Sequence, residues 1–176
     1  FALLDPSYMI DVVLPNMVEK TLDRTDLLIR HGCALATASL IKALALLKAA
    51  PGTQDTQDTQ NIQDLPPPLG DELLKNIRNL IPRLEKARLY RGRGGEVMRG
   101  AACRIIEAIA LAGHPLSRRA QLRLLDTIDE CVKHPTVIIS EAAADALSAL
   151  TRQYFPSGNA AEVTENFARM PLKYST

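Results

Sequence analysis

Three stretches superimpose without a gap: Ile29-Arg-His-Gly-Cys-Ala-Leu-Ala-Thr-Ala-Ser-Leu40, Met98-Arg-Gly-Ala-Ala-Cys-Arg-Ile-Ile-Glu-Ala-Ile109 and Ile139-Ser-Glu-Ala-Ala-Ala-Asp-Ala-Leu-Ser-Ala-Leu150. Equivalent positions carry Ile29, Met98 and Ile139, then Gly32, Ala101 and Ala142, then Cys33, Ala102 and Ala143. Leu40, Ile109 and Leu150 close the pattern. On a helix such offsets share one stripe. Small residues in its middle let a neighbouring helix come close, while the flanking Ile and Leu side chains fill the space on either side.

Each stretch follows another amphipathic segment. The first of these carries Met9, Val12, Val13, Met17 and Val18. The second has Leu73, Leu74, Ile77, Leu80, Ile81 and Leu84, and the third Leu122, Leu125, Ile128, Cys131 and Val132. Pro15 and Pro82 fall at matching places in the first two, where a proline removes a backbone bond and kinks a helix. The third lead segment lacks one. Asp5-Pro6 reads as an N-cap with proline at the first helical position, and Thr25, Asp71 and Ser117 read as later caps.

The pattern predicts an all-α protein, a HEAT/armadillo-like α-solenoid of about three helix pairs plus part of a fourth. Met98 to Ile139 spans 41 residues, within the usual helix-pair period of about 40–47. Ile29 to Met98 spans 69, and an insertion accounts for the excess. The boundaries follow: helix pair 1 at 1–50, a disordered low-complexity insert at 51–69, pair 2 at 70–113 and pair 3 at 114–155. A linker and the start of a fourth repeat, with its lead helix at Glu162 to Met170, occupy 156–176. The insert, PGTQDTQDTQNIQDLPPP over 51–68, buries too little to order itself. The start in mid-pattern, at Phe1, suggests a piece of a longer chain whose end faces pack on neighbouring repeats.

Composition agrees. Of the 176 residues 47% are hydrophobic but only 4% aromatic, and tryptophan is absent, so the apolar mass is aliphatic. A net charge of +1 supplies no overall field for nucleic acid or a membrane surface. No apolar run is expected to span a bilayer, because the candidate from Ala43 to Ala50 is interrupted by lysines. Cys33, Cys103 and Cys131 lie far apart in apolar helical patterns and read as buried hydrophobes of a reducing cytosol.

No catalytic constellation is legible. His31, His114 and His134 lack a recognisable partner motif, and no metal or cofactor is expected. Arg91-Gly92-Arg93-Gly94-Gly95-Glu96 is only superficially a phosphate loop, since the lysine and Ser/Thr of such loops are missing. Gly94 and Gly95 instead fall at a helix start, where they permit close approach by a neighbour.

One local charge bias stands out. Arg83, Lys86, Arg88, Arg91, Arg93, Arg99 and Arg104 face only Glu85 and Glu96, and Arg118, Arg119 and Arg123 extend the run. It reads either as a solvated rim or as a contact face for an acidic partner. Nucleic acid fits less well, because Tyr90 alone is an aromatic residue among the arginines and stacking surfaces are not interleaved with them.

The run from Arg88 to Glu107, with its Leu89-Tyr-Arg-Gly-x-Gly-Gly-x-x-Met98-Arg99 signature, resembles the tubulin folding cofactor D family of tubulin-specific chaperones. Ile29-Arg-His-Gly32 and the segment from Ala142 to Phe155 are similar to matching regions, so the resemblance runs from about Thr25 to Phe155. The Thr-Gln-Asp insert matches nothing in that family. The resemblance implies a non-enzymatic, cytoplasmic and cytoskeleton-associated HEAT-repeat chaperone. Its implied partners are β-tubulin, other tubulin folding cofactors and an Arf-like small GTPase, and its implied task is assembly of the αβ-tubulin heterodimer. GTP hydrolysis in that cycle belongs to tubulin, so no catalytic residue is implied. The piece resembles the part leading into the C-terminal domain. Arg88, Tyr90, Arg91, Arg93 and Arg99 are the candidate partner-binding residues. A generic HEAT adaptor for another protein partner is the alternative reading, and a nucleotide-binding helical enzyme ranks behind both.

Overall fold

Asp5 opens the first helix in the expected way: its carboxylate accepts the Tyr8 N–H at 2.8 Å, with Pro6 in the first turn. The computed structural model describes residues 5–49, 69–90 and 95–155. Helix α1 comprises Pro6–Tyr8, a π-helical turn at Met9–Val13, and Leu14–Lys20. Five more helices follow: α2 at Leu27–Ala49, α3 at Asp71–Lys86, α4 at Gly95–Leu111, α5 at Arg118–Val132 and α6 at Val137–Tyr154. No strand occurs among the described residues. The protein is all-helical, and its helices are packed against one another.

The two prolines are accommodated differently. A π turn ends at Val13, two residues before Pro15, whereas Pro82 sits inside the regular α3 helix. Wide turns insert where the backbone ladder is interrupted, and the extra residue rotates the side-chain faces. The buried face of α1 is Met9, Ile10, Leu14 and Val18; of the expected stripe Met9 and Val18 are buried, Val13 and Met17 half-buried, and Val12 is exposed.

Two expected caps move. Asp26, not Thr25, caps α2, accepting the N–H groups of Leu28 at 2.8 Å and Ile29 at 3.1 Å. Thr25 donates to Asp23 instead, from its N–H at 2.6 Å and its hydroxyl at 2.7 Å. Gly70 precedes α3 without a side-chain cap, so Asp71 lies in the first turn beside Glu72, where negative charge complements the helix dipole. Ser117 caps α5 as expected, accepting the Ala120 N–H at 3.3 Å.

Backbones approach most closely between α4 and α6 and between α2 and α4. Met98, Ala101, Ala102 and Ile109 on α4, and Ile139, Ala142, Ala143 and Leu150 on α6, are all buried, so the small-residue stripe sits where predicted. In α2 the buried stripe lies one position later, at Ala34, Ala38 and Ile41. Ile29 and Gly32 are exposed and Cys33 only partly covered, because α2 packs on α1 and α4 while its far face meets no described helix.

A chain of ion pairs crosses this packing. Lys42 Nζ lies 2.6 Å from Glu107 Oε1, Arg104 Nη1 3.1 Å from Glu107 Oε2, and the same Nη1 2.7 Å from Asp145 Oδ2. The bond to Asp145, with help from Glu107, raises the Arg104 pKa. Surface pairs of this kind contribute little singly, but together they fix the register of α2, α4 and α6. At the other end, the Tyr154 hydroxyl donates to the His114 carbonyl at 2.6 Å, and burial pushes its pKa up to about 12. The Arg118 guanidinium lies 4.6 Å from the centre of the Phe155 ring, tying the end of α6 to the start of α5.

Leu69, assigned to the disordered insert, is buried and belongs to the packed body, while 51–68 and the fourth-repeat helix at 162–170 lie outside the described residues. Lys42, one of the lysines expected to rule out a bilayer-spanning run, leaves the apolar stretch long enough by length and composition. The stretch Leu27–Leu47 is long and apolar enough, by length and composition, to cross a membrane, and 39% of it is buried inside the protein.

Candidate functional site

The candidate residues divide sharply once folded. Arg91 and Arg93 lie outside the described residues. Arg88 is exposed, just past the end of α3, and adopts a left-handed backbone with φ of 56°. Around it the Arg88 N–H donates to the Glu85 carbonyl at 2.9 Å and the Leu89 N–H to the Leu84 carbonyl at 3.1 Å. Gly113 ends α4 with φ of 63° and the same two bonds, to Ala110 and Ile109. Arg88 therefore fills a position that glycine usually takes.

Tyr90 turns inward. Its ring packs against the core, its hydroxyl has no hydrogen-bond partner among the described residues, and burial raises its pKa far above the ordinary value, with Glu85 adding to the effect. Beside it, Gly95 starts α4 so close to the Tyr90 backbone that a β-carbon would collide with the Tyr90 carbonyl. The expected close approach at the helix start thus holds for Gly95. Arg99 reaches Glu130 on α5 at 3.8 Å, and Arg104 is held by Glu107 and Asp145. Leu89 and Met98 are buried. Among its described members, the Leu89-to-Arg99 signature is therefore mostly committed to packing and internal pairing.

Two buried thiols adjoin this corner. Cys103 on α4 and Cys131 on α5 are free and buried. A hydrogen bond between them and the surrounding apolar packing raise the Cys103 pKa, so its thiol stays protonated. Among the described residues, no group of three or more His, Cys, Asp and Glu side chains is arranged to hold a metal ion.

The basic residues that remain on a shared surface belong to a different place. An open cleft of about 420 Å³ runs between α3 and α5. Lys75 and Arg78 line it from α3, and Arg119 and Arg123 from α5. Of these, Lys75 and Arg78 were absent from the charge run read in the sequence. The signal was present: Leu74, Ile77 and Ile81 mark the inner face of α3, which leaves Lys75 and Arg78 together on its flank. Arg83, by contrast, lines a separate shallow groove with Asn16, Glu19 and Asp23. The charge run is thus not one face.

The chain matches no protein-family model, and no solved structure matches it.

Proposed function

We propose that this chain is a non-enzymatic scaffold segment of a tubulin-folding cofactor, built as HEAT-like helix pairs. In this reading it binds β-tubulin and partner cofactors, together with an Arf-like small GTPase, in the cytoplasm during assembly of the αβ heterodimer. The observation that carries the scaffold part is the packing of α2 on α4 and α4 on α6 through small residues. A repeat stack requires each unit to bury its face on the next. The client rests on the sequence signature from Leu89 to Arg99.

The reading treats α2 as a core helix and not as a membrane span, since Ala34, Ala38, Ile41 and Leu44 are buried against neighbouring helices. The test is capture from cytosol on the immobilised parent protein, with and without residues 88–155. Loss of β-tubulin and the other cofactors from the deleted form is the expected result. Retention of every partner by a deleted form that is still folded removes the proposal.

A further inference from the structure

We infer that the cleft between α3 and α5 is a docking groove for an acidic polypeptide segment: carboxylates on its two basic walls, an aliphatic side chain on its floor. This goes beyond the scaffold reading, because it depends on the chemistry of the groove and not on which protein supplies the segment.

The walls carry like charge on both sides. Lys75 and Arg78 are one helical turn apart on α3, and Arg119 and Arg123 one turn apart on α5, so each helix offers a two-residue basic row. Internal neutralisation is slight. Arg78 is held by two carbonyls, its Nε donating to Leu74 at 3.2 Å and its Nη1 to Pro115 at 3.2 Å, and neither partner cancels its charge. Lys75 has only Glu72, at 4.0 Å, with both side chains largely exposed. Arg119 and Arg123 form no ion pair among the described residues. Among the described residues Glu85 is the sole acidic one lining the cleft, and its Oε1 accepts the Thr127 hydroxyl at 2.6 Å. Four cations against one engaged carboxylate leave the groove electropositive, and a cleft lined by one sign of charge focuses its field outward. Such rows repel one another when the groove is empty, and an anionic occupant relieves the repulsion.

The floor selects the kind of anion. Pro82 and Leu116 add partly exposed aliphatic surface to the cleft lining, and the nearly buried Ile81 and Leu124 add a little more. A bare phosphate gains nothing from that aliphatic surface, whereas a leucine or similar side chain flanked by Asp or Glu satisfies floor and walls together. Single-stranded nucleic acid binds through base stacking on aromatic rings, and among the described residues no aromatic one lines this cleft. A volume of about 420 Å³ accommodates a few side chains, not a folded domain.

The experiment uses the whole 176-residue chain and a fluorescent, glutamate-rich synthetic peptide carrying one leucine. Its affinity is measured by anisotropy at two salt concentrations. The expected result is binding that weakens with salt and drops about tenfold or more in the Arg119→Glu/Arg123→Glu variant. The charge-matched variant Arg24→Glu/Arg152→Glu, altered at exposed sites outside the cleft, keeps its affinity. Replacing the leucine by serine weakens the peptide as well. Equal loss in both charge variants, no binding by the folded wild-type chain, or tighter binding to a single-stranded oligonucleotide overturns the inference. The measurement contains no tubulin, so its failure is distinct from failure of the tubulin-cofactor reading.

Discussion

Gly95 and Tyr90 meet backbone to backbone: the first residue of α4 lies against the carbonyl of Tyr90, leaving no room for a β-carbon. Neither side of this contact is a flexible side chain, so relief requires movement of the backbone that joins α3 to α4. Gly95→Ala is expected to destabilise the protein by about 1–3 kcal/mol, as overpacking does elsewhere. Denaturant unfolding measures it, and an unchanged midpoint would mean that the two backbones are not in contact.

Gly32 offers the opposite case. It lies inside α2, exposed, with no described residue within 4 Å of where a β-carbon would go. Gly32→Ala is expected to stabilise by about 1 kcal/mol through helix propensity. Ala102→Leu, at a fully buried site in α4, is expected to lower stability by about 1–3 kcal/mol. If the two substitutions shift the melting temperature in the same direction, the assignment of open and closed faces is wrong.

Arg88 occupies its left-handed position at a cost that glycine does not bear. Arg88→Gly is expected to raise stability by about 1 kcal/mol despite removing a side chain. A urea midpoint that falls instead would show that the arginine makes contacts worth more than its backbone strain.

Asp23 supplies a pH test. The Thr25 hydroxyl, then the Asp26 and Thr25 N–H groups, hold its carboxylate and lower its pKa from 3.8. A depressed folded pKa gives stability that is complete above 3.8 and lost as pH falls through the folded value. Asp23→Asn should therefore melt below wild type near neutral pH, with the gap closing in acid below about pH 3.8. A gap that is constant with pH excludes the charged bonds as its cause.

Much of the architecture was legible because aliphatic periodicity is a local signal. The stripes on α3, α4 and α6 followed from spacing alone, as did the N-caps at Asp5 and Ser117. The face of α1 did not: Ile10, Leu14 and Val18, four apart, form the buried row, and the neighbouring row of Met9, Val13 and Met17 is an equally regular apolar one. Asp26 was passed over for Thr25 because both are good caps, and the turn built on Asp23 decides between them. The basic cleft lay furthest from reach. Charge counted along the chain grouped Arg83 with Arg104, whereas folding sends these apart and sets Arg78 opposite Arg119. Proximity across helices is a tertiary fact, and a run of arginines does not contain it.

The unequal spacing of the helices has a kinetic consequence. The backbone of α4 lies close to those of α2 and α6 over long stretches, while the buried Ile77, Leu80, Ile81 and Leu84 side chains hold the backbone of α3 further from its neighbours, and α3 borders the open cleft. Opening free energy follows such differences. In deuterated water the amides of α4 are expected to exchange only when the whole protein unfolds, and those of α3 much sooner, through a partial opening that leaves α4 intact. Simultaneous exchange of both helices would show a single cooperative unit. With separate exchange, the wall carrying Lys75 and Arg78 is the part of the protein that breathes.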